Sequence, residues 1–237
     1  MKAKFILRKR VFVILLILML SSAGVSLAAP KLVNTLSSGI GYDPLNTTEQ
    51  QRALDLALSA GGANGGASGS ATRSEILLVE RHQETKDVYH QGTWPRRADV
   101  YVYHYDSDTL EHRIVNLANN AIDATEVMTD VQLPPTANEI QLAIDLAFGD
   151  PQFHSDLGVW YKELKGEDLV SFDQLAAKAF IFHASAMGTA NVGNASVCGI
   201  QRCIQLMVYT KDMIAFEQSA ILNLSTQQFA AVLQPGQ

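Results

Sequence analysis

The chain has 237 residues, of which 24 are Asp or Glu and 18 are Lys or Arg, a formal charge of −6, and 47% are hydrophobic. Nucleic acid and anionic lipid both demand clustered Lys and Arg, so an acidic chain of this kind excludes them as natural partners. The apolar content is that of a globular protein, enough for one large domain or two small ones.

Lys2, Lys4, Arg8, Lys9 and Arg10 form a basic n-region, residues 11–20 an apolar h-region, and Ser26 and Ala28 the small residues of a cleavage site. Residues 1–28 therefore read as a signal peptide. The apolar stretch is shorter than the ~20 residues that a membrane span needs. A secreted or periplasmic protein is expected, with no membrane association beyond export unless the signal stays uncleaved as an anchor. Residues 29–41 read as a short, extended N-terminal leader.

Residues 42–131 and 132–237 then repeat one pattern. Pro44, Glu49, Gln51, Ala53, Asp55, Leu56 and Ala57 return, ninety residues on and without a gap, as Pro134, Glu139, Gln141, Ala143, Asp145, Leu146 and Ala147. A duplication on this scale sets the organisation of the chain before any chemistry is considered. Asn46-Thr47-Thr48-Glu49 has the composition of a capping box, and Thr136-Ala137-Asn138-Glu139 stands at the same place. Helical spacing follows through Ala53, Leu54, Leu56, Ala57 and Leu58, and again through Ile140, Ala143, Ile144, Ala147 and Phe148.

Residues 59–72 are nearly all Gly, Ala, Ser and Asn and read as a flexible loop; a phosphate-binding GxxxxGK[ST] pattern is missing from them. Residues 149–174 replace this tract in the second repeat, with Trp160, Tyr161 and a short second helical turn.

Residues 75–81 read as a strand, matched by 179–184 through Phe180, Ile181 and Phe182. Residues 97–105 alternate, with Val100 and Val102 on one side and Tyr101, Tyr103 and Tyr105 on the other. A turn at Asp106-Ser107-Asp108-Thr109 leads into a partner strand at 112–117. The second repeat has strands at 204–209 and 215–224 around Thr210-Lys211-Asp212. Each repeat is thus an α+β unit, one helix covering one face of a curled antiparallel meander.

Cys198 and Cys203 are the only cysteines. In an exported chain they read as a disulfide closing a hairpin tip. Trp94, Arg96 and Arg97 form the most binding-like cluster, because Trp and Arg concentrate at interface hot spots; a Trp packed under the helix with Arg at the rim is the competing reading. Tyr101, Tyr103 and Tyr105 make either a core face with wet hydroxyls or a binding platform. His82, His104 and His112, if neighbouring strands bring them together, make a three-histidine site of the kind zinc or copper accepts. Without a GxSxG elbow, no serine nucleophile is supported.

Asp43-Pro44-Leu45, the Tyr-rich strand 98–106 with its return 112–117, and the linker Val131-Gln132-Leu133-Pro134-Pro135-Thr136 followed by Glu139 resemble the tandem N-terminal domains of copper amine oxidases. That resemblance spans roughly residues 42–232 and implies two tandem cystatin-like units. The Asn-Tyr-Asp/Glu-Tyr motif that forms the cofactor in those enzymes has no counterpart here, and neither does their His-x-His copper pair. The resemblance therefore implies shape without activity. The expected function is that of an exported, non-catalytic binding or scaffold protein acting with a protein partner. The alternative is a small copper- or zinc-binding protein that uses the three histidines.

Overall fold

The capping boxes do start the principal helices. A computed structural model describes residues 43–64, 73–91, 94–187 and 193–234, without the side chains of 60–64 and 89. The proposed signal peptide and leader lie outside the described residues. Helix α1 is Thr47–Asn64. Asn46 Oδ1 accepts from the Glu49 amide at 3.0 Å, and Glu49 Oε2 accepts from the Asn46 amide at 3.0 Å. In the second repeat Thr136 caps α3, Ala137–Gly149, with Glu139 returning the bond. Both boxes satisfy backbone donors that a helix start would leave orphaned.

Helix α1 runs six residues into the tract expected to be a loop, ending at Asn64. Extending a nucleated helix costs little, so Ala and Ser carry it onward even beside glycine. The rest of that tract, 65–72, lies outside the described residues.

In the first repeat β1 (Ser74–Arg81), β2 (Arg97–His104), β3 (Thr109–Asn116) and β4 (Ala121–Met128) form an antiparallel sheet in the order β1-β2-β3-β4, with a short helix α2 (Lys86–His90) between the first two. In the second, β5 (Leu175–Ile181), β6 (Cys203–Thr210), β7 (Ala215–Asn223) and β8 (Gln228–Leu233) pair in the same way. The α+β duplication is thus realised as two four-stranded antiparallel sheets under helices.

Three elements depart from the sequence reading. The expected short helical turn of the second repeat is a full helix, α4, Pro151–Lys165, capped by Asp150 and closed by Gly166 at φ 71°. Its buried stripe is Phe153, Leu157 and Tyr161. The first strand of that repeat starts at Leu175 instead of 179, because its small residues Ala176 and Ala177 pair with Tyr209 and Val208. The hairpin register places Tyr103 opposite Leu110 and Tyr101 opposite His112, so the return strand begins at Thr109.

Alternation in β2 divides its residues as expected. Ala98, Val100 and Val102 join Val115, Ala53 and Ala57 in a core under α1. Burying each of these valines is worth ~1.5–3 kcal/mol. Tyr103, Tyr105 and Leu110 lie in the same cluster as Ala143, Phe153, Leu157, Leu206 and Leu222. The end of the tyrosine face that carries Tyr103 and Tyr105 is therefore walled by the second repeat.

Candidate functional site

Each repeat ties its helix start to its sheet through one arginine. Arg96 and Arg202 immediately precede β2 and β6, and their carbonyls accept from Leu117 and Leu224, each at 2.8 Å. Arg96 Nε and Nη2 donate to the two carboxylate oxygens of Glu49 at 2.8 and 2.7 Å, while Nη1 and Nη2 reach the carbonyls of Asp43 and Pro44. Arg202 repeats this: Nε and Nη2 hold the two oxygens of Glu139, and Nη2 also reaches the carbonyl of Pro134 at 3.3 Å. The glutamate in each case is the one closing the capping box, so one carboxylate serves the helix start and the guanidinium together. The Arg96 hydrogen bonds hold the Glu49 carboxyl below its usual range against the opposing effect of burial.

Around Arg202 this arrangement becomes the joint between the repeats. Arg202 is fully buried and Glu139 nearly so. Tyr105 OH donates to Glu139 Oε1 at 2.7 Å, and the Arg202 guanidinium lies 5.2 Å from the Tyr103 ring centroid. Arg73 stacks on Tyr105 at 4.4 Å and donates to the carbonyls of Leu224 and Ser225 at 2.6 and 2.5 Å. Asp108 accepts from Tyr103 OH and from Ser225 Oγ. Thr136 Oγ1 and Asn138 Nδ2 donate to Glu75 at 2.9 and 3.1 Å. Burial raises the Tyr103 hydroxyl to about 12 and pushes Tyr105 higher still.

The expected binding cluster is accordingly dispersed. Arg96 is a clamp on Glu49, and Tyr103 and Tyr105 are joint residues whose hydroxyls are bonded inside the protein. Arg97 turns to the other face, where it meets Glu84 at 3.1 Å and Asp123 at 2.7 Å. Trp94 is half-buried. Of Tyr101, Tyr103 and Tyr105, only Tyr101 stays half-exposed, its ring stacked on His112 at 4.5 Å.

The three histidines do not form one site. His82 Nδ1 and His112 Nε2 both contact Asp99 Oδ1, at 2.9 and 2.7 Å, on the outer face of the first sheet. His104 alternates to the helix face and pairs with Glu111 at 2.9 Å, beside Arg113, which donates to the Ala57 carbonyl. Strand alternation is the reason: His104 and His112 fall on opposite faces in the register that pairs Tyr101 with His112. Among the described residues no group of three or more His, Cys, Asp or Glu side chains is arranged to hold a metal ion.

Cys198 and Cys203 are joined as a disulfide, with Cα atoms 5.4 Å apart. They close the loop that enters β6, at the opposite end of that strand from the hairpin turn, so the tip assignment is corrected. The loop contains Gly199 at φ 111°, where a Cβ would meet His183 Nδ1 at 2.8 Å, and it carries Arg202 into the joint. Arg202, Glu139, Arg73 and Asp99 escaped the sequence reading. The repeated Pro-x4-Glu, with an arginine just ahead of each second strand, was the signal available for the first two.

No family model matches the sequence, and no curated protein matches it. Among solved structures the fold is similar to a copper-containing benzylamine oxidase from Hansenula polymorpha, with a TM-score of 0.54 and 16% identity over 82% of this chain. The likeness spans 30% of the oxidase chain, and at this identity it is one of fold. Among the described residues no helix is long and apolar enough to cross a membrane.

Proposed function

We propose that this chain is an exported, non-catalytic binding or scaffold protein that works with a protein partner, and that its two repeats correspond to the tandem N-terminal domains of copper amine oxidases. The observation that carries the reading is the joint. Glu139, Arg202, Tyr103 and Tyr105 are committed to fixing one repeat on the other. A protein that buries its most reactive-looking groups in an inter-repeat clamp is built to present surfaces at a fixed spacing. The fold likeness to part of an oxidase agrees with this.

The test is chemical cross-linking of the full chain in its exporting host, followed by capture and mass spectrometry, with elemental analysis of the purified protein alongside. A recurrent protein partner and no stoichiometric metal are expected. The rival reading, a copper or zinc protein, draws on the meeting of His82 and His112 at Asp99. Stoichiometric copper or zinc that disappears in His112→Ala would put that reading in its place.

A further inference from the structure

We propose that copies of this chain associate head to tail, the 210–214 turn of one copy seating on the α1 start of the next. The chain already contains such a contact, because the 105–108 turn of the first repeat seats on the α3 start of the second through Tyr105 and Asp108. Two repeats with one internal joint leave the other turn and the other helix start unused. A repeat array whose ends stay in water carries polar outer faces there. The free turn of the second repeat is apolar instead, with Met213 59% exposed and Ile214 41%.

The two turns correspond. β2 and β6 each run eight residues from just after their clamp arginine, so Lys211 stands where Tyr105 does. Asp108 precedes the residue that pairs back to His104, and Met213 precedes the one whose carbonyl accepts from Thr210. Both occupy the left-handed region, at φ 52° and 68°. That conformation suits an aspartate and strains a methionine, and such strain collects at functional sites. The second turn is one residue shorter and is held in shape within its own repeat. Lys165 Nζ lies 2.6 Å from Asp212, and Thr210 Oγ1 accepts from the Ile214 amide at 3.1 Å.

The receiving faces correspond as well. At the α3 start the seat is the Arg202–Glu139 clamp beside Ser225, whose Oγ donates to Asp108. At the α1 start it is the Arg96–Glu49 clamp beside Ala118, which follows Leu117 as Ser225 follows Leu224. This second seat is open: Asn46, Thr47, Thr48 and Ala118 are exposed, and Arg96 keeps contact with water. Charge supplies the match. Inside the chain Tyr105 OH donates to the Glu139 carboxylate. Between copies the exposed Lys211 brings an ammonium toward Glu49, a charge-assisted form of the same bond. A contact whose two faces differ leaves one turn and one seat free on every assembly, so open chains or rings form.

Self-association of this kind goes beyond the binding-module reading and does not depend on it. The test is sedimentation equilibrium of the full chain and of two surface variants. Lys211→Glu spoils the turn by setting a carboxylate against Glu49, and Ala118→Arg blocks the seat with a long side chain. Both positions are exposed, and retained amide dispersion shows that each variant is folded. The mass of the unaltered chain should rise with concentration above that of a monomer. Each variant alone should associate at least about tenfold more weakly. Mixed, the two should form a one-to-one pair, since the Lys211→Glu chain still offers its seat and the Ala118→Arg chain its turn. A chain that is monomeric up to about 1 mM, association that either variant leaves untouched, or a mixture that stays monomeric would each overturn the head-to-tail contact. A foreign partner captured by a chain that stays monomeric overturns this contact alone and leaves the binding-module reading standing. Self-association with no foreign partner does the reverse.

Discussion

Arg202 is the second repeat's copy of Arg96. Each stands one residue before the second strand of its sheet, grips both oxygens of the glutamate that closes its helix cap, and reaches a proline carbonyl of the lead-in. The two differ in what lies above them. Arg96 keeps 14% of its side chain exposed and Arg202 none, because the tyrosines of the first repeat close over the second clamp. One device thus works at a rim in one copy and as a buried joint in the other.

That difference sets the first prediction. Arg202→Met leaves Glu139 buried without its cation and should cost about 3–5 kcal/mol in denaturant unfolding. Arg96→Met removes a guanidinium that keeps 14% of its side chain exposed, so water can take its place beside Glu49, and should cost about 1–3 kcal/mol. Adding Glu139→Gln to Arg202→Met should recover part of the loss, since the uncompensated charge goes with it. Equal costs for the two arginines would contradict the buried-joint account.

Acid stability should report the first clamp. The Glu49 carboxyl is held below its ordinary value of 4.5 mainly by the Arg96 hydrogen bonds. A depressed folded value means that the stabilising contribution is present above pH 4.5 and is lost as pH falls through the folded value. Glu49→Gln should therefore lower stability at neutral pH and flatten its dependence below pH 4.5, measured by urea unfolding across that range. An unchanged acid limb in the variant would remove Glu49 as a source of it.

Much of this was legible in the chain because the signals are local. The capping boxes span four residues, the alternation of Val100, Tyr101, Val102 and Tyr103 fixes two faces, and the close cysteine pair has one pairing to make. What escaped was set by distant contacts. Nothing near Tyr105 announces Glu139, thirty-four positions away. The three-histidine site needed neighbouring strands to bring all three rings to one face, and alternation along β2 and β3 puts His104 on the face opposite His112. Helix α4 was underestimated although Phe153, Leu157 and Tyr161 repeat every four residues, since Gly158 and the exposed Val159 interrupt the pattern. The start of β5 was missed because alanines carry little strand signal and owe their place to Val208 and Tyr209 across the ladder.

The disulfide should matter through the residue it delivers. For so short a loop the chain-entropy relation gives about 2 kcal/mol. Arg202 follows Gln201 within that loop, and its amide donates to Ser225 Oγ at 3.1 Å. Replacing both cysteines by serine should cost at least that amount and should raise amide exchange at Arg73 and Tyr105 in the first repeat as well as around Arg202. Faster exchange confined to residues 198–203 would mean that the loop and the joint are independent.

Alkaline titration gives the sharpest test of the joint's dryness. Burial raises Tyr103 from 10.0 to about 12, and Tyr105 is raised further by burial and by the Glu139 carboxylate that accepts its proton's hydrogen bond. For a group whose folded value is raised, the contribution is whole below the unfolded value of 10.0 and drains away as pH climbs toward the folded one. Stability should accordingly fall between pH 10 and about 12, and ultraviolet titration should show two tyrosines of the chain resisting ionisation until the protein unfolds. Tyr103→Phe should make that fall shallower while reducing stability at neutral pH through the lost bond to Asp108. If all tyrosines ionised together near pH 10 with the fold intact, water would have access to the hydroxyls, and the second repeat could not be sealed over the first in the way the Arg202 clamp requires.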